Sequence, residues 1–439
     1  MPKNLPALKI VWIAALALIT GCSVNRKISR NLDKVFNESE TMSHYQPGFA
    51  LYDLSKAQMI FERNSDKYFT PASNTKLFTF FAGLKVVPDS IPGLRYIERQ
   101  DSLIFWGTGD PSFLQSELKS RKVLDFLAAS NKKIFFAPGR YTGGFYGAGW
   151  QWDDYNDYYQ AEINEFPVLD NLVDVKKNGS TLKITPRLFT PVFKIDSTSA
   201  TKNFRVTRDF LKNEFKYPLQ PVPDAYNQKI PFKVDVETTV SILADTLGKP
   251  IGQIKMTMPS NAKTIYSSKS DDVLKEMMLP SDNFIAEQLL LVYADKLGLE
   301  LNADKAIEYV QKEYLGVLPD KFIWADGSGL SRYNLVTPRA IIKLLDMIYK
   351  EVNNTGRLYG MLPAGGMSGT LKNAYPKTDK PFVFGKTGSL ANVHNQSGYV
   401  VTKSGKTFLF SFMNNNYTQP TAEIRKEMVR IMTLIHEKY

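Results

Sequence analysis

The chain has 439 residues, of which 43% are hydrophobic and 23% charged, with a formal net charge of +11. This balance excludes wholesale disorder, and the length exceeds what one small core needs, so roughly two or three domains are expected. The Lys and Arg residues are scattered and no nucleic-acid motif appears, so nucleic acid is not an expected partner; weak attraction to an anionic polymer such as a cell wall accounts for the charge equally well.

The chain opens with Lys3 and Lys9 ahead of the apolar run IVWIAALALITGC, which breaks into polar SVNRK. A basic start and a short apolar core ending in small residues make a secretory signal. Cys22, the only cysteine, directly follows Thr20 and Gly21. The stretch resembles a bacterial lipoprotein signal, with residues 1–21 removed and Cys22 lipidated; a plain signal with an incidental cysteine is the alternative. Either reading has the protein exported; the lipoprotein reading places it in the periplasm, anchored by lipid to the envelope, with the outer membrane the expected site. It owes no stability to disulfides.

Residues 22–90 read as the first part of an α/β domain. Two strands are predicted, about Phe49–Asp53 and Gln58–Glu62, joined by a polar turn. A helix buried over most of its surface follows, beginning near Ser73 and carrying Leu77, Phe78, Phe80, Phe81 and Leu84. Residues 91–255 are rich in short β-type runs and turn residues, too long for a loop, and are read as an inserted β-rich domain or domains. Helical patterns return in residues 256–439, starting near Asp271. Strands are then predicted in FVFGKTG, SGYVVT and KTFLFSFMNN, before a last amphipathic helix from about Thr421.

Three short motifs carry chemistry. Ser73 stands three residues before Lys76; Ser281, Asp282 and Asn283 lie at a helix entry; Lys386, Thr387 and Gly388 lie at a strand end. Each alone has a plain structural reading, as a helix cap or a turn. In this order they form the S-x-x-K, S-D-N and K-T-G set of penicillin-binding proteins and serine β-lactamases. The helical spacing puts Ser73 Oγ and Lys76 Nζ on one face. A neutral lysine can take the proton of a serine nucleophile, and burial with nearby positive charge, here from Lys386, favours that neutral state. The backbone N–H groups of Ser73 and Ser389 suit an oxyanion. Lys386 and the Thr387 hydroxyl suit a substrate carboxylate. Ser281 can relay a proton to the leaving amine, and Asn283 can fix the lysine and the substrate amide. The three histidines, His44, His394 and His436, show no metal-ligand spacing, and no cofactor or metal is implied. His394, close after the K-T-G strand, is read as a satisfied loop residue, with a place lining the cleft as the alternative.

Over nearly all of the mature chain the sequence resembles the D-alanyl-D-alanine carboxypeptidase/endopeptidase family of class C, low-molecular-mass penicillin-binding proteins (peptidase family S13). The resemblance rests on the three motifs, on GFALYDLSKAQMIFERNSDKYFTPAS, LIFWGTGDPSF and GAGWQWDDYNDYYQAEINEFPVLDN, and on DGSGLSRYNLVTP and LPAGGMSGTL. It implies a transpeptidase/β-lactamase-like α/β fold, an antiparallel sheet between helices, with the β-rich insertion between the first two motifs. It implies Ser73 as acyl-ester nucleophile, Lys76 as general base, Ser281 as proton relay, Asn283 and Lys386 as catalytic partners, and Thr387, Gly388 and Ser389 as substrate-binding residues. The implied substrates are peptidoglycan stem peptides, with D-Ala released or a cross-link cut, and β-lactams are the implied inhibitors. A non-catalytic cell-wall-binding module and a serine β-lactamase are the alternative readings. No E-x-x-L-N element is present to support the latter. Ser368 replaces an aspartate frequent in the family, and Asp153 and Asp154 are read either as cleft residues or as a structural turn.

Overall fold

The computed structural model describes residues 25–198 and 203–439. The proposed signal and Cys22 lie outside the described residues. A five-stranded antiparallel sheet runs in the order Val383–Leu390, Val393–Val401, Thr407–Met413, Gly48–Asp53, Gln58–Arg63. Successive strand residues point to opposite faces, and here both faces are covered. Phe408, Phe410 and Phe412 face Phe36 and the closing helix Thr421–Lys438, through Ile424, Met428, Ile431 and Ile435. Ala50, Leu409 and Met413 face the other way, into a larger core with helices Lys76–Val86, Ser270–Met278, Asn283–Lys296, Ala303–Tyr314 and Pro338–Val352. This is an α/β fold with an antiparallel sheet between helices, as expected.

The Lys76–Val86 helix is buried all round apart from Lys85, which is why its sequence has no polar stripe. The Asn283–Lys296 helix is likewise buried from Phe284 to Asp295. One flank packs on the first helix, where Tyr293 Oη donates to the Thr79 carbonyl at 3.0 Å. The other flank meets the block inserted after Ser90. That block holds a second five-stranded sheet, ordered Ile251–Gln253, Lys133–Phe136, Ser102–Trp106, Ser90–Arg99, Lys263–Lys269, and two three-stranded sheets. Its own core includes Phe105, Phe136, Phe166, Val173, Phe215 and Phe232. Two helices not expected there, Lys122–Ala129 and Val236–Leu247, bury Val123, Leu124, Leu127, Ile242 and Leu243 in the same core. Their apolar residues are few and short-spaced, so strand-like runs on either side dominate the local pattern.

Two polar residues on the Asn283–Lys296 helix, Gln288 and Asp295, tie it to the block. Gln288 Nε2 donates to the carbonyls of Gly109 (2.9 Å) and Asn164 (2.8 Å). Asp295, with its side chain 0% exposed, pairs with Arg95 and Arg140, each at 2.8 Å. Such buried groups are tolerated because each is matched. Phe80 is 0% exposed in the main core. Phe80→Ala is expected to lower stability by about 3–5 kcal/mol, read as a fall in the denaturant midpoint; a shift below about 1 kcal/mol would contradict this packing.

Candidate active site

Ser73 lies in a 3-10 turn over Ala72–Thr75, and the α-helix begins only at Lys76. Ser73 is therefore not the helix cap. Pro71 precedes the turn and Ala72 takes a φ of +49°, bending the chain so that the Ser73 hydroxyl lies 3.0 Å from Lys76 Nζ. The same Nζ donates to Asn283 Oδ1 at 2.6 Å and to the Ser328 carbonyl at 2.7 Å. These three contacts match the three hydrogens of an ammonium. Lys76 is 0% exposed, and burial lowers its pKa to about 8 against the opposing attraction of Glu287, Asp326 and Asp282.

Asp282, not Ser281, caps the helix that follows, accepting the Ile285 N–H at 2.8 Å. Ser281 takes a φ of +67°, in the left-handed region. Its hydroxyl accepts from Lys386 Nζ at 2.7 Å, and that Nζ also reaches the Thr387 carbonyl at 2.7 Å. Lys386 is fully buried too; burial first, and then the like charge of Lys76, push its pKa well below the usual range. The expected repulsion between the two lysines is thus felt at Lys386, while at Lys76 burial is the main cause.

The strand carrying Lys386, Thr387 and Gly388 does not end there but continues to Leu390, then turns through Ala391 and Asn392 into Val393–Val401. Asn392 supplies the turn with a φ of +63°. His394 is consequently a buried strand residue paired with Ser389, its Nδ1 2.8 Å from Ser389 Oγ. A loop was expected because the polar HNQS run masks the alternation. Gly388 has a steric role: a Cβ there would stand 2.6 Å from the Pro71 carbonyl oxygen and 2.8 Å from the Ser73 nitrogen. Only a glycine lets this strand lie against the serine turn.

A cavity of about 470 Å³ covers these groups, lined by Ser73, Ser281, Asn283, Thr387 and Ser389. Asp154 and Tyr159 of the inserted block also line it, and Asp153 does not. Asp154 belongs to the 3-10 turn Trp152–Asn156, and burial raises its pKa. The Tyr159 carbonyl accepts from Asn283 Nδ2 at 3.1 Å, so the block helps orient the Asn283 amide. Ser368 lies outside the lining and closes its own loop, accepting the Ala364 N–H at 3.2 Å.

Two supporting acids were not singled out from the sequence. Glu287, one helical turn after Asn283, accepts the N–H groups of Gly327 (3.0 Å) and Ser328 (2.7 Å). This fixes the carbonyl that Lys76 meets. Burial and the neighbouring Asp326 raise the Glu287 pKa to about 8. Asp326 accepts from the N–H groups of Gly329 (2.8 Å) and Ser331 (2.7 Å) and from the Trp150 indole (2.9 Å). The only sequence signals were the spacing of Glu287 from Asn283 and the Gly327-Ser328-Gly329 tripeptide.

A serine beside a buried lysine, with S-D-N and K-T-G residues converging on one cleft, is the residue set found in penicillin-binding proteins and serine β-lactamases, here on a transpeptidase-like fold. The chain belongs to the D-Ala-D-Ala carboxypeptidase 3 (S13) family, whose model matches residues 28–435. It is 24% identical to the D-alanyl-D-alanine carboxypeptidase DacB of Haemophilus influenzae, over 89% of this chain and 90% of that protein. The crystal structure of penicillin binding protein 4 (dacB) from Haemophilus influenzae superposes with a TM-score of 0.75 at 20% identity, covering 93% of this chain and 99% of the other. A predatory endopeptidase of Bdellovibrio bacteriovorus shares the fold at a TM-score of 0.50 and 14% identity, covering 89% of this chain and 93% of the other.

Gly388→Ala is expected to push the strand off the serine turn and slow acylation by a fluorescent penicillin about 100-fold, with the fold retained by circular dichroism. Acylation at the unaltered rate would contradict the steric account of Gly388.

Proposed function

We propose that the protein is a serine-type D-Ala-D-Ala carboxypeptidase that acts on peptidoglycan stem peptides through an acyl-enzyme on Ser73. The observation that carries this reading is the 3.0 Å contact between Ser73 Oγ and a Lys76 ammonium whose burial favours its neutral form. Neutral Lys76 has a lone pair for the Ser73 proton. Ser73 Oγ then attacks the carbonyl of the penultimate D-Ala, and the N–H groups of Ser73 and Ser389 receive the oxyanion. Ser281, bonded to Lys386 at 2.7 Å, relays a proton to the leaving amine. The Thr387 hydroxyl and Lys386 receive the terminal carboxylate. Asn283 holds Lys76 through Oδ1 and the substrate amide beside it. A water, activated by the same base, releases the acyl group in the second step.

Cutting a cross-link is the same reaction with a larger leaving amine, so endopeptidase activity fits the same groups. A β-lactam would acylate Ser73 as a mimic of the terminal dipeptide and be released slowly. For location, the basic and apolar start of the chain with Thr20-Gly21-Cys22 supports export and a lipid anchor on Cys22. No helix among the described residues is long and apolar enough to cross a membrane.

Incubation of the purified protein with a fluorescent penicillin and with a pentapeptide ending in D-Ala-D-Ala tests the reading. Stable labelling and D-Ala release, both lost in Ser73→Ala, are expected. Absence of labelling would favour a non-catalytic wall-binding module, and rapid penicillin turnover a β-lactamase.

A further inference from the structure

A second cavity, of about 200 Å³, adjoins the cleft behind the K-T-G strand. Thr370, Thr387 and Ser389 line both spaces, whereas Ser73 and Ser281 line only the first. The second space therefore extends the cleft past Thr387, away from the nucleophile. Three hydrogen-bond donors border it. Gln396 is 3% exposed; its Oε1 accepts the Tyr375 hydroxyl at 2.9 Å, and its buried Nε2 has no partner. His394 meets Ser389 Oγ through Nδ1 at 2.8 Å. Burial, then the charge of Arg425, lower its pKa to about 4, so the imidazole is neutral at neutral pH. In the tautomer whose Nδ1 accepts the Ser389 hydroxyl, the ring hydrogen is on Nε2. Arg425, at the start of the second turn of the Thr421–Lys438 helix, lines the cavity, and among the described residues its guanidinium has no hydrogen bond or ion pair. No Asp or Glu lines this space.

A small cavity bordered by a guanidinium, an amide N–H and an imidazole N–H, with no acid to pair them, suits a carboxylate. Its place settles which carboxylate. In the reading proposed above, on which this inference rests, Thr387 receives the α-carboxylate of the residue being released. What lies beyond Thr387 is then that residue's side chain. The methyl group of D-Ala leaves the donors unmet. We propose that this cavity is a subsite for a second carboxylate, carried on the side chain of the leaving residue and held by Arg425, Gln396 and His394. It would favour cleavage of cross-links in which the released residue is a diacid over release of D-Ala.

The test uses the purified full chain with three peptides, diacetyl-L-lysyl-D-alanyl-X, where X is D-alanine, D-glutamate or its neutral isostere D-glutamine. The unaltered protein is expected to show a kcat/KM for D-glutamate about tenfold above that for D-glutamine, carried mainly in KM. Arg425→Gln is expected to bring the ratio to about one while D-alanine release and penicillin acylation change less than about twofold. A ratio near one in the unaltered protein, or an unchanged ratio in Arg425→Gln, overturns the subsite. Failure of the protein to acylate or to release any X would instead defeat the catalytic reading. The subsite is then judged by glutarate alone, which should shift the His394 imidazole NMR signals of the unaltered protein and not those of Arg425→Gln. No shift overturns it.

Discussion

The arrangement depends on one buried ammonium group. Lys76 Nζ is shut off from water and meets three oxygens, from the turn at Ser73, the helix at Asn283 and the loop at Ser328. An ammonium in such a place is costly unless all its hydrogens are matched, and here the matches come from three segments far apart in sequence. The same burial that demands partners also weakens the hold on the proton. Structural glue and chemical poise are thus one interaction: the contacts that hold the cleft together favour charge, and desolvation opposes it.

The second constraint is the Asn283–Lys296 helix, which has no solvent face for most of its length. From one end to the other it carries Asn283 to Lys76, Glu287 to the Gly327–Ser328 backbone, Gln288 to the inserted block, and Asp295 to Arg95 and Arg140. The inserted block therefore does more than decorate the fold. Through Tyr159 it orients the Asn283 amide, through Trp150 it bonds Asp326, and it lines the cleft with Asp154 and Tyr159. Positions that look remote in the chain act on Lys76 by way of this helix.

Much of this was legible from residues 48–86 and 270–438. Alternation in Thr407–Met413 and the unbroken apolar run after Lys76 correspond to the doubly covered strand and the buried helix. The motif residues were legible because their types and order are constrained by chemistry. Three things were not. The 3-10 turn at Ser73 arises from Pro71 and the strained Ala72, a backbone feature that a serine-to-lysine spacing does not reveal. His394 looked like a loop residue because a buried polar strand breaks the usual apolar alternation. Glu287 and Asp326 bond backbone N–H groups rather than side chains, so no pairing of residue types in the sequence announces them.

The central claim is that burial makes Lys76 the base for Ser73. The most direct measurement is the second-order rate of Ser73 acylation by a fluorescent penicillin as a function of pH, alongside the 13Cε chemical shift of Lys76 in the free protein. The neutral lysine is the reactive form, so the rate should climb about tenfold per pH unit at low pH and level off near the Lys76 pKa of about 8, with the Lys76 signal titrating at the same midpoint. A Lys76 midpoint near the ordinary lysine value, with acylation already level at neutral pH, would contradict the account.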